Sequence, residues 1–199
     1  MIETIPKGYK QTKAGVIPDD WEVGPISDIA AINPSNNTKG IEENRLVSFL
    51  PMENVSEDGK IVSLDTRRFG EVKTGYTHFI EGDILFAKIT PCMENGKGAI
   101  AENLCNGIGF GSTEFHVLRP LQRTSRDFIY QITKSPEFRV EATRFFTGSA
   151  GQKRVSKEFS PTIPLPYPLF QNKQPSPLSS PSLTRPSPPP KPSSPTPRS

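Results

Sequence analysis

The amino-acid sequence predicts an α+β protein with a curved β core, a helical C-terminal part and a Pro/Ser-rich tail. Short apolar runs separated by turn residues fill residues 45–120, and apolar groups at helical spacing follow in residues 126–146. Strands followed by helices are typical of the α+β class. Residues 161–199 hold 14 of the 22 prolines and no acidic residue, and such a segment cannot bury enough apolar surface to fold.

The folded part carries no overall charge that would attract nucleic acid. The 199 residues include 24 basic and 21 acidic side chains, a net charge of +3. Residues 167–199 contribute four of the basic side chains and no acidic one, so residues 1–166 carry 20 basic and 21 acidic side chains, a net charge of −1. Any DNA-binding function must therefore depend on a local basic patch.

Cysteine usage and the N-terminus predict a cytoplasmic protein. Cys92 and Cys105 are too far apart for a Cys-x-x-Cys motif, and two thiols in a body of this size favour a reducing compartment over a disulfide framework. The N-terminus has no apolar segment of the kind found in secretory signals. No run approaches the ~18 apolar residues that span a membrane, so we expect no membrane partner.

The first half of the chain predicts an arm followed by strands. Residues 1–20 are polar and contain several Gly and Pro, which indicates an extended arm, and Trp21 is expected to anchor it to the body. A short apolar run at residues 46–50 predicts a strand. Asp58 and Gly59 form a good hairpin tip, which predicts a further strand over residues 61–64.

The strongest strand signal lies in the middle of the chain. Residues 84–89 are rich in branched and aromatic side chains, and a turn at residues 81–83 precedes them. Residues 90–98 are predicted to be a loop, followed by short strands at residues 99–101 and 115–118. The glycines between these two strands suggest bulges or close backbone approach.

Two helices are predicted after Pro120. Residues 126–132 have apolar groups at helical spacing. Ser135 and Pro136 then make a plausible N-cap with proline at the first helical position. The apolar residues of this second helix continue to Gly148, which is a natural C-terminal stop.

The loop over residues 88–97 is a candidate DNA contact. Pro91 and Gly96 restrict its backbone, and we expect it to present Lys88, Asn95 and Lys97 on one exposed edge. Lysine binds phosphates, and asparagine can read adenine in the major groove. The alternative is an ordinary loop with solvated charges.

Two further loops carry residues suited to nucleic acid. In residues 109–114, glycines allow close backbone approach, and the hydroxyl of Thr113 can donate to phosphates or bases; the alternative is a β-bulge. Residues 147–154 end in Gln152, Lys153 and Arg154, a combination of base-reading amide and phosphate-binding cations. The alternative there is a helix C-cap whose basic residues favour the helix dipole, and the spacing of a phosphate-binding P-loop is absent.

Catalytic interpretations have little support in the sequence. Ser112 and His116 lie four residues apart with no partner acid indicated, and no feature activates Cys92 beside His78 or His116. A Cys/His metal site would need tighter spacing. The sequence therefore predicts no enzymatic activity and no cofactor, and a cysteine-dependent enzyme is the weaker alternative.

Four segments together resemble one protein family over the first 166 residues. The segments are Tyr9-Lys10-x-Thr12-x-x-Gly15-x-Ile17-Pro18-x-Asp20-Trp21, Gly82-Asp83-Ile84-Leu85, residues 86–120, and Gly148-Ser149-x-Gly151-Gln152-Lys153-Arg154-Val155 leading to Ile163-Pro164-Leu165-Pro166. This set resembles the target-recognition domain of the DNA-specificity subunit of type I restriction–modification enzymes. The division that follows is an arm at residues 1–20, the recognition domain at residues 21–166 and the tail at residues 167–199.

The resemblance implies a double-stranded DNA-binding subunit without nuclease or methyltransferase chemistry of its own. Members of the family carry two such domains, each of which reads half of a split target. Long helices join the domains and dock the methylation and restriction subunits. The chemically plausible DNA contacts are Lys88, Asn95, Lys97, Thr113, Gln152, Lys153 and Arg154, in which cations position phosphates and amides read base edges.

The sequence departs from the family after Pro166, where a Pro-Glu-Gln segment and a long helix would follow. Translating residues 170–177 two nucleotides out of frame can restore that continuation, so we expect a frameshift near Tyr167. On this interpretation the chain is truncated after the first domain, and docking of the partner subunits is impaired. The alternatives are an inactive remnant and an interaction module that uses the proline-rich segment at residues 185–192.

Overall fold

A computed structural model describes residues 5–12, 15–35, 37–122, 124–149 and 152–166, which form two four-stranded sheets, three two-stranded sheets and a helical layer. The strands are β1 (Tyr9–Thr12), β2 (Gly15–Pro18), β3 (Trp21–Pro25), β4 (Ala30–Ile32), β5 (Leu46–Leu50), β6 (Asp65–Arg68), β7 (Thr77–Ile80), β8 (Ile84–Ala87), β9 (Gly98–Ile100), β10 (Ile108–Gly111), β11 (Phe115–Pro120), β12 (Phe146–Thr147), β13 (Arg154–Val155) and β14 (Thr162–Pro166). The helices are α1 (Phe69–Val72), α2 (Arg126–Lys134) and α3 (Pro136–Thr143).

These elements confirm the predicted α+β class. The tail and the expected frameshift lie outside the described residues. Short 3₁₀ turns at Ile26–Asp28, Met52–Asn54 and Cys105–Gly107 connect strands.

The two large sheets differ in strand direction. One has the order β6-β5-β10-β7, in which β10 runs parallel to β5 and antiparallel to β7. The other has the order β4-β11-β8-β9 and is antiparallel throughout. A β-strand directs successive side chains to opposite faces, and this alternation decides what each sheet packs against.

Strand β8 is buried on both faces because it lies in the middle layer. Leu85 packs with Phe79 of the neighbouring sheet, whereas Ile84 and Phe86 pack with Phe138 of α3 on the opposite side. The molecule thus has three layers: mixed sheet, antiparallel sheet and helices. This arrangement explains why the sequence of β8 is a continuous apolar run rather than an alternating one.

Gly109 and Gly111 lie inside β10, where they admit close neighbours. Their pairing with β5 and β7 is continuous, so the suggestion of a bulge is wrong for this segment. A Cβ atom on Gly109 would collide with the ring of Phe79, and one on Gly111 with the carbonyl oxygen of Leu50. The glycines therefore serve tight internal packing, which agrees with the expected close approach.

The strand predicted at residues 61–64 does not form. Val55 bridges Ile61, and the Val62 N–H donates to the Asn54 carbonyl at 2.8 Å, so the segment closes on its own hairpin. Val62 is 71% exposed, and the described residues provide no strand that pairs with it. The strand that pairs with β5 begins only at Asp65.

The second helix begins as predicted and ends earlier. The Ser135 hydroxyl accepts a hydrogen bond from the Phe138 N–H at 3.2 Å, and Pro136 occupies the first turn. The prediction that this helix runs to Gly148 is wrong, since α3 ends at Thr143. Phe146 instead pairs with Val155 in the β12–β13 hairpin, and Gly148, with φ of +104°, lies in the turn.

Both ends of the described chain are held to the body by packing and strand pairing. Residues predicted as an extended arm form the β1–β2 hairpin, and Ile17 in it is buried. Trp21 begins β3 and meets Phe128 of α2 edge-on, with ring centroids 6.3 Å apart. Strand β14 pairs with the full length of β3, so the last described residues return to the first strands of the body.

One buried ion pair fixes the turn between β7 and β8. Asp83 is 1% exposed and accepts two hydrogen bonds from Arg119, from Nε at 2.8 Å and from Nη2 at 2.7 Å. It also accepts from the Ile80 N–H at 2.8 Å. This bidentate ion pair joins the residue before β8 to β11.

We expect Asp83→Asn to lower the free energy of unfolding by about 3 kcal/mol, because the change leaves the Arg119 guanidinium without its counter-charge. The matched control is Glu102→Gln, which breaks an ion pair with Arg126 whose two side chains are 44% and 43% exposed, and which should cost under ~1 kcal/mol. Urea unfolding of both variants measures the difference. Equal losses would contradict a structural role for the buried pair.

Candidate nucleic-acid interface

A cleft of about 460 Å³ opens where β7, β8 and the segment after β4 meet. Three lysines line it: Lys73, Lys88 and Lys157. Among the residues that the structure describes, no carboxylate lines this cleft. The body as a whole has a net charge of −1 and Lys73 pairs with Glu43, so the positive charge of the cleft comes mainly from Lys88 and Lys157.

Aromatic rings form one wall of the cleft. Phe110 of β10 stacks on His78 of β7 with centroids 4.6 Å apart and planes 8° apart. In the same sheet, Phe49 of β5 lies opposite Phe110. The ring of Phe49 also meets that of Tyr76 edge-on, with centroids 4.9 Å apart. The register of three neighbouring strands thus builds an aromatic row that ends at the cleft rim. Burial lowers the pKa of His78, with a further contribution from Arg119, which favours the neutral ring.

The imidazole of His116 forms the floor. The ring is 2% exposed, and both its nitrogens are engaged. Asn33 Oδ1 accepts from the Val117 N–H at 3.0 Å, so its amide nitrogen faces His116 Nδ1 at 2.8 Å and donates to it. His116 Nε2 lies 3.0 Å from the Val155 carbonyl, which requires the tautomer that carries its proton on Nε2.

Burial keeps this imidazole neutral. Burial in the apolar interior is the main cause that lowers the pKa of His116 from its ordinary 6.5 to about 4. The hydrogen bond to Val155 raises this pKa, and the positive charge of Lys88 lowers it further. The rings of Phe86 and Phe159 pack against it, with centroids at 5.2 and 5.9 Å. Three chain segments therefore meet on one uncharged side chain.

Lys88 lies at the junction of β8, β11 and β13. Its N–H donates to the Glu114 carbonyl at 2.8 Å, and its carbonyl accepts from the Val155 N–H at 2.8 Å. Arg154 Nε donates to both carboxylate oxygens of Glu114, at 2.9 and 3.0 Å. The charge of Arg154 is therefore compensated, whereas the described residues show no ion pair for Lys88 or Lys157.

The structure brings four of the sequence-predicted contacts close together through the backbone. Thr113 is exposed and precedes Glu114 in the sequence. The Lys153 carbonyl accepts a hydrogen bond from the Thr90 N–H at 3.0 Å. With Lys88 and Arg154 they surround the same junction. Gln152 is exposed on the β12–β13 hairpin beside Lys153.

Asn95 and Lys97 are placed differently. Asn95 Nδ2 donates to Glu57 Oε1 at 2.9 Å, on the hairpin at residues 56–60. Lys97 is half-buried and pairs through its carbonyl with the Ala87 N–H at 2.8 Å. Of the three residues expected on one exposed edge of this loop, only Lys88 lines the cleft.

The turn that carries Asn95 is fixed to the helices. Lys134 donates to the Gly96 carbonyl at 3.0 Å, and Arg139 Nη1 lies 3.4 Å from the Glu94 carbonyl. Burial lowers the pKa of Lys134, with Arg139 adding to the effect. These contacts make this turn part of the framework.

Sequence reasoning missed Lys73, Tyr76 and Lys157. The first two flank Gly75, whose φ of +81° makes the sharp bend between α1 and β7. A cation, a glycine and an aromatic residue in a four-residue connection was a usable signal. The sequence around Lys157 carries no such signal, because only the folded chain brings this residue to the cleft.

The two cysteines do not line the cleft. The described residues contain no cluster of three His, Cys, Asp or Glu side chains suited to a metal. Cys92 and Cys105 are free thiols, and Cys105 Sγ donates to the Leu46 carbonyl at 3.6 Å. None of the described helices combines the length and apolar character required to cross a bilayer.

We expect acid to destabilise the protein through His116. The folded-state pKa of about 4 lies below the ordinary 6.5, so the unfolded chain binds a proton first as the pH falls. The stability that the neutral ring provides is complete above pH 6.5 and declines down to about pH 4, by about 3 kcal/mol in total. In His116→Gln, urea unfolding between these pH values should lack this component; parallel pH profiles of the two proteins would contradict it.

Two curated relatives align with most of this chain, and the aligned region is less than a third of each relative's own length. The type I restriction enzyme EcoAI specificity subunit of Escherichia coli is 41% identical over 173 residues, which are 85% of this chain and 29% of that protein. The EcoEI specificity subunit of the same organism is 43% identical over 155 residues, 76% of this chain and 26% of its own length. No family model matches.

Solved structures share the fold. The HsdS subunit from Thermoanaerobacter tengcongensis superposes with a TM-score of 0.60 at 18% identity, over 75% of this chain and 39% of that one. A chain from a study of complex assembly and conformational transition of the type I R-M system gives 0.61 at 20% identity, over 77% and 40%. The chain is thus homologous to the specificity subunits of type I restriction enzymes and covers one domain of them, less than a third of their length.

Proposed function

We propose that the body of this chain is a DNA target-recognition domain that reads one half of a bipartite target for a type I restriction–modification system. The observation that carries this proposal is the 41–43% identity to proteins named as specificity subunits. The cleft adds a location, since three lysines line it and none of its described lining residues is acidic.

The lysines suit contacts to the DNA backbone. Phosphate contacts supply most of the affinity of such domains and fix the register on the duplex, and base edges are read by neutral polar groups. Lys88, Lys157 and the exposed Lys153 would hold phosphates. The hydroxyl of Thr113 and the amide of Gln152 extend from the same region and would reach the base edges.

Two of the candidate contacts require rearrangement in this proposal, and a third lies at the margin. Asn95 would exchange its hydrogen bond to Glu57 for one to a base, and Arg154 would share its guanidinium between Glu114 and a phosphate. Lys97 is half-buried beside β8, so it would act only at the edge of the interface. Lys88 is the strongest of the sequence-predicted candidates, because it lines the cleft and no described residue forms an ion pair with it.

Recognition in this proposal involves no chemistry by the chain itself. Both nitrogens of His116 are engaged in hydrogen bonds, so the best-placed imidazole cannot act as a base. Methylation and cleavage would belong to partner subunits of the complex in the cytoplasm. Impaired docking of those subunits stays a prediction from the sequence.

Lys88→Ala should weaken binding of duplex DNA by the full chain roughly uniformly across sequences, because it removes one phosphate contact. The slope of log affinity against log salt should fall by about 1. Titrations of a random duplex pool at several salt concentrations measure this slope. The matched control is Lys60→Ala, since Lys60 is exposed, pairs with Asp58 and lies away from the cleft.

Two outcomes would count against the proposal. If the full chain enriches no motif from the pool at any salt concentration, the inactive-remnant alternative is favoured. If Lys60→Ala changes the salt slope as much as Lys88→Ala does, DNA binds elsewhere on the surface.

A further inference from the structure

Tyr76 is an exposed aromatic side chain at the rim of a cleft whose other rings are more deeply buried. It is 45% exposed, whereas Phe110, Phe115 and His116 are at most 2% exposed. It lies between Lys73 and the start of β7, and the cleft is lined by both of these. An exposed tyrosine that shares the cleft lining with a cation, Lys73, and a hydroxyl residue, Thr77, suits a polar ligand better than it suits packing within the chain.

The ring of Tyr76 is held in position before any ligand arrives. Phe49 meets it edge-on, with centroids 4.9 Å apart and planes 86° apart. Phe49 is fixed in turn by strand pairing to β10 and by Arg67, whose guanidinium carbon lies 5.7 Å from the ring centroid. Such support lowers the entropy lost when a side chain makes a directional contact.

The hydroxyl of Tyr76 is available for a new hydrogen bond. Among the described residues the structure shows no hydrogen-bond partner for it, whereas the hydroxyl of Tyr130 donates to the Gly59 carbonyl at 3.0 Å. Lys73, which lines the same cleft, is held by Glu43 at 2.6 Å, in a pair whose side chains are 41% and 63% exposed. An exposed pair of this kind contributes little stability, so Lys73 can turn to a phosphate at small cost.

We propose that Tyr76 is a specificity-determining residue whose hydroxyl makes a hydrogen bond to a base edge. This inference rests on the proposed DNA-recognition function and assigns one of its reading contacts. The lysines that line the cleft neutralise backbone phosphates, which positions the duplex without reading its sequence. A neutral hydroxyl on a fixed ring then discriminates between base pairs, because the wrong base leaves a polar group unpaired.

The test compares full-length Tyr76→Phe with the unmodified chain, since this change removes a single oxygen and keeps the ring on Phe49. Both proteins select duplexes from a random pool, and the bound duplexes are sequenced at two salt concentrations. We expect Tyr76→Phe to lose preference at one base pair of the selected motif by roughly tenfold. The salt dependence of binding should stay unchanged, because no phosphate contact is lost.

Tyr9→Phe is the matched control, since Tyr9 is 47% exposed in the β1–β2 hairpin and does not line the cleft. It should select the unmodified motif. If the unmodified chain selects a motif and Tyr76→Phe selects the same one with equal preference, this inference is wrong and the proposed function stands. If the unmodified chain selects no motif, the proposed function itself fails.

Discussion

The cleft depends on one neutral imidazole. His116 lies on β11, accepts from the Asn33 amide that follows β4, and donates to the Val155 carbonyl of β13. Residues far apart in sequence thus converge on a single side chain whose hydrogen bonds are satisfied without charge. Were that ring protonated, Nδ1 could no longer accept from the Asn33 amide, and a buried cation would stand beside Lys88. These two hydrogen bonds therefore require a neutral ring, and burial, which lowers the pKa of His116, favours that form.

The layered core explains why the polar residues collect where they do. Each residue of β8 is buried because sheets and helices cover both of its faces. The strand ends at Ala87, and Lys88 is the first residue that leaves this double burial. There it joins β11 and β13 through its backbone. The change from apolar strand to lysine thus coincides with the edge of the middle layer, so the core itself sets the position of the cation.

Local signals in the sequence predicted much of the fold and less of the site. The apolar run of β8 and the Ser135 cap succeeded because each depends on neighbouring residues. The strand expected at residues 61–64 failed because a strand needs a partner, and Val55 closes the hairpin before one is reached. Helix α3 ended early because Phe146 pairs with β13. The cleft combines side chains from five separate segments, and the pattern around Lys157 gives no indication that it would join them.

The central claim is that duplex DNA lies over the lysine-lined cleft. Lysine acetylation of the full chain, with and without a duplex pool and quantified by mass spectrometry, tests it most directly. The account predicts that DNA protects Lys73, Lys88 and Lys157, while Lys10 and Lys60, which pair with acids outside the cleft, stay equally reactive. Protection of Lys10 and Lys60 with unchanged reactivity of the cleft lysines would contradict it.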